Sequence, residues 1–233
     1  MKTVICLKHG AKYSAEYVNV LYSMVERNIS PPFKFICFTE DPNNLRSEVE
    51  VRNLPNGLHG WWYKPWLFSK DTLLEGTILY IDLDVVISGS LDKLFDYSPG
   101  DWCTIRDFTR SMRPDWKKYN SSVIRFEAGQ LEYIWQNFKA DKDNLMKRYF
   151  GDQDYLFAVS QENNPAVLFP DDWIQSWKWE VRKSKDLTPG PRGQRTLAKI
   201  ENVKPGAECS ICVFHGDPNP HNCLDPWVVD NWK

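Results

Sequence analysis

Three short apolar runs set the architecture of this chain: TVICL at 3–7, FKFICFT at 33–39 and TILYID at 77–82. All three are built from β-branched, aromatic and small apolar residues, the composition of strands. Between the first two, YSAEYVNVLYSMVERN (13–28) sets Tyr17, Leu21, Met24 and Val25 at helical spacing, with Ser14 as a candidate cap. Strand, helix, strand in this order predicts a mostly parallel sheet with helices on its faces, an α/β fold. VEVRNLP (49–55) reads as an edge strand, and WCTIRDF (102–108) and SSVIRF (121–126) as further strands. AVLFP (166–170) and the run ending in ICVFHG (211–216) are the last strands. GWWYKPWLFSKDTLL (60–74) reads as a helix with an irregular start at Pro65. QLEYIWQNFKADKDNLMKRYF (130–150) reads as one or two helices, and DQDYLFAVSQ (152–161) as another.

At 233 residues the chain is expected to form a single domain over 1–233. Its 29 basic and 31 acidic residues give a net charge of −2, with no basic footprint for nucleic acid. The six cysteines (Cys6, Cys37, Cys103, Cys209, Cys212, Cys223) are scattered and read as buried free thiols. MKTVICLKHG has too short an apolar run for a signal peptide, and no run is long enough to span a bilayer. The expected location is the cytoplasm. Many of the 11 tryptophans cluster, at 61, 62 and 66, at 173, 177 and 179, and at 227 and 232, and the clusters lean toward a binding surface.

The strand TILYID runs into Asp82 and Asp84, followed by more apolar residues. A lone pair of this kind can be a solvated strand end. Yet ligands of open α/β sheets bind beyond the carboxyl ends of strands. Residues two apart in a strand share a face, so both carboxylates can address one object. Mg²⁺ or Mn²⁺ commonly bridges carboxylates to a phosphate. His215 ends another apolar run, and its imidazole suits Mn²⁺ better than Mg²⁺. Gly216 beside it permits a close backbone approach. A rival reading groups Cys209, Cys212, His215, His221 and Cys223 as a zinc cluster. The period of two in a strand argues against it, because it turns 212 and 215 to opposite faces. The stretch KSKDLTPGPRGQRTL (183–197), with Lys183, Lys185, Arg192 and Arg195, reads as a solvated loop or as a lid for an anionic ligand.

The blocks GWWYKPWLF, LYIDLDVVISGSLDKLF, YNSSVIRF, GDQDYLF and VFHGDPNP, in that order, resemble those of the nucleotide-sugar glycosyltransferases of the GT-A fold. The nearest likeness is to the glycogenin-like and lipopolysaccharide galactosyltransferase-like group (family 8) and its bacterial and phage relatives. The resemblance implies a Rossmann-like GT-A fold with a mixed, mostly parallel central sheet, its nucleotide-binding half at about 1–100 and its donor-sugar and acceptor half at about 101–233. It implies transfer of a hexose from a nucleotide sugar, UDP-linked, with retention, to a glycan, lipopolysaccharide, protein or small molecule. Asp84 and His215 would be Mn²⁺ ligands, with Asp82 on the metal, the donor ribose or both. Lys64 would touch the donor phosphates or sugar, Tyr13 would stack on uracil, and Lys8 would lie nearby. Asn120 with Ser121 and Ser122 would lie along the donor sugar. Asp152 and Gln153 would bind sugar hydroxyls, with Asp152 placed to act near the anomeric carbon and Asp107 as a second candidate. The terminal motif departs from the family's, because Gly216 follows His215 directly and Asn219 stands where a Lys is expected. Lys178, Lys183 or the loop arginines could supply that charge. Two rivals follow: a non-catalytic nucleotide- or sugar-binding relative, and a sugar-phosphate nucleotidyltransferase. The single Gly in LKHGAKYS argues against the second.

Overall fold

The computed structural model describes residues 1–183, 187–189, 195–197, 202–216 and 219–233. Strands β1 (Lys2–Lys8), β2 (Phe33–Thr39), β3 (Glu50–Arg52), β4 (Thr77–Ile81), β6 (Cys103–Arg106), β7 (Tyr119–Glu127) and β8 (Val167–Leu168) form a seven-stranded sheet in the order β3-β2-β1-β4-β7-β6-β8. Strands β3, β2, β1 and β4 run parallel to one another, and β3 is at the edge as expected. Strand β7 is inserted antiparallel between β4 and β6. The sheet is therefore mixed and mostly parallel.

Both faces of this sheet are buried, which is why its strands are apolar at successive positions. Val4, Cys6, Phe35, Cys37, Leu79 and Ile81 face one core, with helix α1 (Ala15–Asn28) packed on it. Ile5, Leu7, Ile36, Phe38, Ile78 and Tyr80 face the other. Helix α3 (Glu132–Ala140), helix α5 (Asp152–Ser160) and a 3-10 helix at Gly60–Phe68 cover that second face. The 130–150 region forms two helices, α3 and α4 (Lys142–Arg148). A short helix, α2 (Asp92–Asp96), follows β5 (Val85–Ile87).

Three expectations need correction. Residues 60–74 form the 3-10 helix and a short turn at Lys70–Thr72, not one α-helix. Pro65 lacks the N–H an α-helical ladder would use. The run ending in His215 is a strand only at Ile211–Val213 (β12), and it lies outside the large sheet. It pairs antiparallel with β5 (Val85–Ile87) and parallel with β9 (Ile174–Ser176). The tryptophan clusters are largely core. Trp62, Trp66 and Trp177 are buried, and Trp173, Trp179, Trp227 and Trp232 pack partly buried against a core. Trp61 is the exposed member of its cluster. All six cysteines are free and buried, as expected.

Among the described residues no helix is long and apolar enough to cross a membrane. Much of the segment read as a loop or lid, with Lys185 and Arg192, lies outside the described residues. A two-stranded ladder pairs β10 (Leu187–Pro189) with β11 (Arg195–Leu197).

The C-terminal helix α6 (Pro226–Asn231) begins after Asp225, whose carboxylate is 3.1 Å from Arg182 Nε with both side chains about 1% exposed. The same carboxylate accepts from Trp177 Nε1 at 3.1 Å. Asp225→Ala removes the counter-charge from a buried guanidinium and an acceptor from a buried indole. The expected loss is about 3–5 kcal/mol in urea unfolding, as for other broken buried pairs. A loss below about 1 kcal/mol, the range of an exposed pair, would contradict this reading.

Candidate active site

The link from β4 to β5 holds Asp82 and Asp84. Strand β4 ends at Ile81, so the two aspartates lie just past the strand rather than in it. The Asp82 N–H donates to Ser122 O at 2.8 Å, which ties this link to β7. Both side chains line a cleft of about 360 Å³, a size that suits a small-molecule ligand. Lys64, Tyr13, Asn120, Ser121, Asp152, Gln153 and His215 line it too. One cleft therefore gathers most of the residues singled out in the sequence, from segments as far apart as 13 and 215.

Lys64 sits at the base of the cleft, 7% exposed. Its ammonium is 2.9 Å from Asp82 Oδ1 and 3.8 Å from Asp152 Oδ2, and it donates to Ser121 O and Oγ at 3.1 and 3.0 Å. Burial alone would favour a neutral amine, but Asp82 and Asp152 outweigh it and hold Lys64 charged, its pKa raised. Asp152 opens helix α5, where a carboxylate suits the positive end of the helix. Burial still raises its pKa, opposed by Lys64 and a Ser121 hydrogen bond. Tyr80, one strand position from the link, donates its hydroxyl to Asp82 Oδ1.

Asp84 has different partners. Its Oδ2 accepts from the Tyr13 hydroxyl at 3.1 Å and from the Gly216 N–H at 3.2 Å. Burial raises its pKa, and the neighbouring Asp82 adds to that. The antiparallel β5–β12 pairing brings His215 here, since Phe214 N–H donates to Asp84 O at 2.9 Å. His215 (φ 38°) and Gly216 (φ 93°) are both left-handed, which turns the chain back so that the Gly216 N–H meets Asp84. For a non-glycine residue that conformation is strained and typical of functional sites. The His215 ring lies 2.6 Å (Nε2) from Ser176 Oγ and stacks on Phe108. Burial and the nearby Lys178 push its pKa down to about 3, so the imidazole is neutral, as a metal ligand requires.

The donor set of two carboxylates and a neutral imidazole fits Mn²⁺, and the cleft carries two carboxylates whose buried charge a cation would relieve. Among the described residues no three His, Cys, Asp or Glu side chains already stand together as a metal cluster. The residues of the alternative zinc set form no preformed cluster either, although Cys209 and Cys212 are 3.7 Å apart (Sγ to Sγ).

Three candidates are placed elsewhere. Lys8 is buried beside Asp41, 3.4 Å from its Oδ2, and does not line the cleft. Gly216 contributes through its N–H to Asp84 rather than by lining the cleft. Asp107 caps a 3-10 turn by accepting from Thr109 N–H at 2.9 Å. That bond explains its position without a part in the chemistry. Lys178 Nζ donates to Gly216 O at 2.8 Å, which places one of the substitutes named for the Asn219 position behind the His215 turn. Sequence reasoning did not single out His9, Lys12 or Tyr80 as lining the cleft, nor Ser176 as the partner of His215. Lys12 and Tyr80 stand next to motif residues. Ser176 carries no signal, because its role comes from the β9–β12 pairing.

No family model and no curated protein matches the chain in sequence. Solved structures do match its fold. The glycosyltransferase GlyE of Streptococcus pneumoniae TIGR4 superposes with a TM-score of 0.68 at 14% identity, covering 100% of this chain and 60% of that one. The galactosyltransferase LgtC, in complex with donor and acceptor sugar analogs, superposes at 0.65 with 15% identity over 98% of this chain and 93% of that one. The bifunctional glycosyltransferase WbbM gives 0.59 at 13% identity, over 97% of this chain and 50% of that one. This chain thus spans less than two thirds of GlyE and half of WbbM, and nearly all of LgtC. At such identities the likeness establishes architecture: the chain has the GT-A fold of these glycosyltransferases.

Proposed function

We propose that the chain is a metal-dependent glycosyltransferase that moves a hexose from a UDP-linked donor to an acceptor with retention. The observation that carries this reading is the single cleft holding Asp82, Asp84, His215, Lys64 and Asp152 at the carboxyl end of the central strands. Residues 1–100 would bind the nucleotide and residues 101–233 the sugar and acceptor, with the whole chain acting as one unit. Mn²⁺ would be held by Asp84 and His215, with Asp82 shared between metal and donor, and Mg²⁺ could substitute. When bound, the ion would supply Lewis-acid stabilisation of the departing diphosphate.

The chain's own residues would do the rest. Ser176 orients the His215 ring. Tyr13 and the Gly216 N–H hold Asp84 by hydrogen bonds. Lys64 neutralises the carboxylates around it and offers a fixed positive charge to a donor oxygen. Asn120, Ser121 and Gln153 orient sugar hydroxyls, with Asn120 Nδ2 3.5 Å from Gln153 Oε1. Asp152, fixed at the start of α5 beside Lys64, stabilises positive charge developing at the anomeric carbon.

The test is calorimetric titration of UDP and of GDP with and without Mn²⁺, followed by donor hydrolysis. UDP should bind at least about tenfold more tightly with Mn²⁺, worth about 1.4 kcal/mol. A nucleotide that binds without regard to metal, or none that binds, would remove the transferase reading. Metal-dependent binding without hydrolysis of any donor would favour a binding protein instead.

A further inference from the structure

We propose that Trp61 and Phe150 form a platform for a pyranose ring of the acceptor at the mouth of the cleft. This assignment rests on the transferase reading above and names the class of its second substrate, a glycan. Two large aromatic side chains stand out on the surface here: Trp61 is 51% exposed and Phe150 is 89% exposed. Their rings stack, with centroids 6.5 Å apart and planes 24° from parallel. A core would bury such rings, as it does Trp62 and Trp66 on the same 3-10 helix.

Their position in the chain ties them to the centre. A 3-10 helix has three residues per turn, so Trp61 lies on the same face as Lys64 and lines the same cleft. Phe150 stands two residues before Asp152 and stacks on Trp61, beside the cleft rather than lining it. Between them lies Gly151, where a Cβ would stand 3.4 Å from Trp61 Nε1, so the indole packs over bare backbone. The two segments that deliver Lys64 and Asp152 thus each carry an exposed aromatic ring close to that charged group. Hydroxyl-binding groups follow on helix α5: Gln153, which lines the cleft, and Asp154, which pairs at 3.2 Å with Lys118 just before β7. Flat apolar faces edged by polar groups match a pyranose, which presents C–H bonds on its faces and hydroxyls around its rim. A purely apolar partner would make no use of the Gln153 amide at the edge of the rings.

The test is ligand-observed saturation-transfer NMR with a panel of methyl hexopyranosides and disaccharides, on protein holding UDP and Mn²⁺. At least one sugar should bind through its ring protons. Trp61→Ala and Phe150→Ala should weaken it about tenfold each, the order expected for loss of an aromatic contact. Trp61→Phe and Phe150→Tyr should retain it. UDP affinity should be unchanged in Phe150→Ala. The proposal is overturned if no sugar binds the UDP-loaded wild type, or if both alanine variants bind sugar normally. It is also overturned if Phe150→Ala weakens UDP as much as sugar, which would give the rings to the nucleotide. Ring-dependent sugar binding without any UDP binding would keep the platform and sink the transferase reading alone.

Discussion

Asp84→Asn is expected to abolish the Mn²⁺-dependent gain in UDP affinity and to reduce donor hydrolysis by about two orders of magnitude, equivalent to about 2.7 kcal/mol. The side chain lies at the cleft with two hydrogen bonds to its Oδ2, from Tyr13 and Gly216. Asn keeps the shape and an acceptor oxygen but loses the charge that a cation needs. The variant should nonetheless melt at the same temperature as wild type or higher. Asp84 is buried beside Asp82, and both burial and that neighbour raise its pKa, so its charged form costs folding free energy. A residue that costs stability and carries binding shows this opposite response. Titration of UDP with and without Mn²⁺, paired with a thermal melt, reads both. An Asp84→Asn protein whose UDP binding keeps the full metal dependence would return the two aspartates to the role of a strand end.

Lys64→Met is expected to cost about 3–5 kcal/mol at neutral pH, because it strands buried carboxylates without their cation. Asp152 is 4% exposed, and its Oδ2 makes no hydrogen bond among the described residues, so the ammonium 3.8 Å away is its charge partner. Asp82 loses the 2.9 Å contact as well. The pH response follows from the direction of the shift. The folded-state pKa of Asp152 is already raised by burial, and Lys64 opposes that rise. Without Lys64 the carboxyl rises further above its unfolded value. The folded state then binds more protons than the unfolded chain in the window above the unfolded pKa, and stability falls as pH rises. The variant should regain part of its loss between pH 7.5 and pH 5, with a steeper recovery than wild type. Urea unfolding at the two pH values measures this. A loss under about 1 kcal/mol with no pH dependence would mean that Lys64 behaves like an exposed pair.

Much of this organisation was legible from local sequence. Runs such as VICL and ILYI are apolar at successive positions because both faces of the large sheet are buried, so the strands could be read without knowing their neighbours. Helix α1 was legible because its buried residues, Tyr17, Leu21, Met24 and Val25, recur at the helical period. Asp82 and Asp84 stood out because charge interrupts an apolar run, and the interruption falls where β4 leaves the sheet. Lys64, Asn120 and Asp152 could be listed, but their mutual contacts could not.

Those contacts depend on pairing between distant segments. The antiparallel insertion of β7 brings Ser121 beside Lys64, and the pairing of Val85 with Val213 brings His215 to Asp84. Nothing in either segment alone encodes the other. The same reason explains the tryptophans. Indole is equally suited to core and to surface, so only the packing decided that Trp62, Trp66 and Trp177 are buried while Trp61 faces solvent. It also explains Lys8 and Asp107, whose residue types suited a site but whose side chains go to Asp41 and to a turn. The sequence by itself determined the strands, the helix periods and the chemistry on offer, because these are set by neighbours along the chain. Only the tertiary structure decided which of those groups share a cleft, because that is set by strand order and by which face of each element is covered.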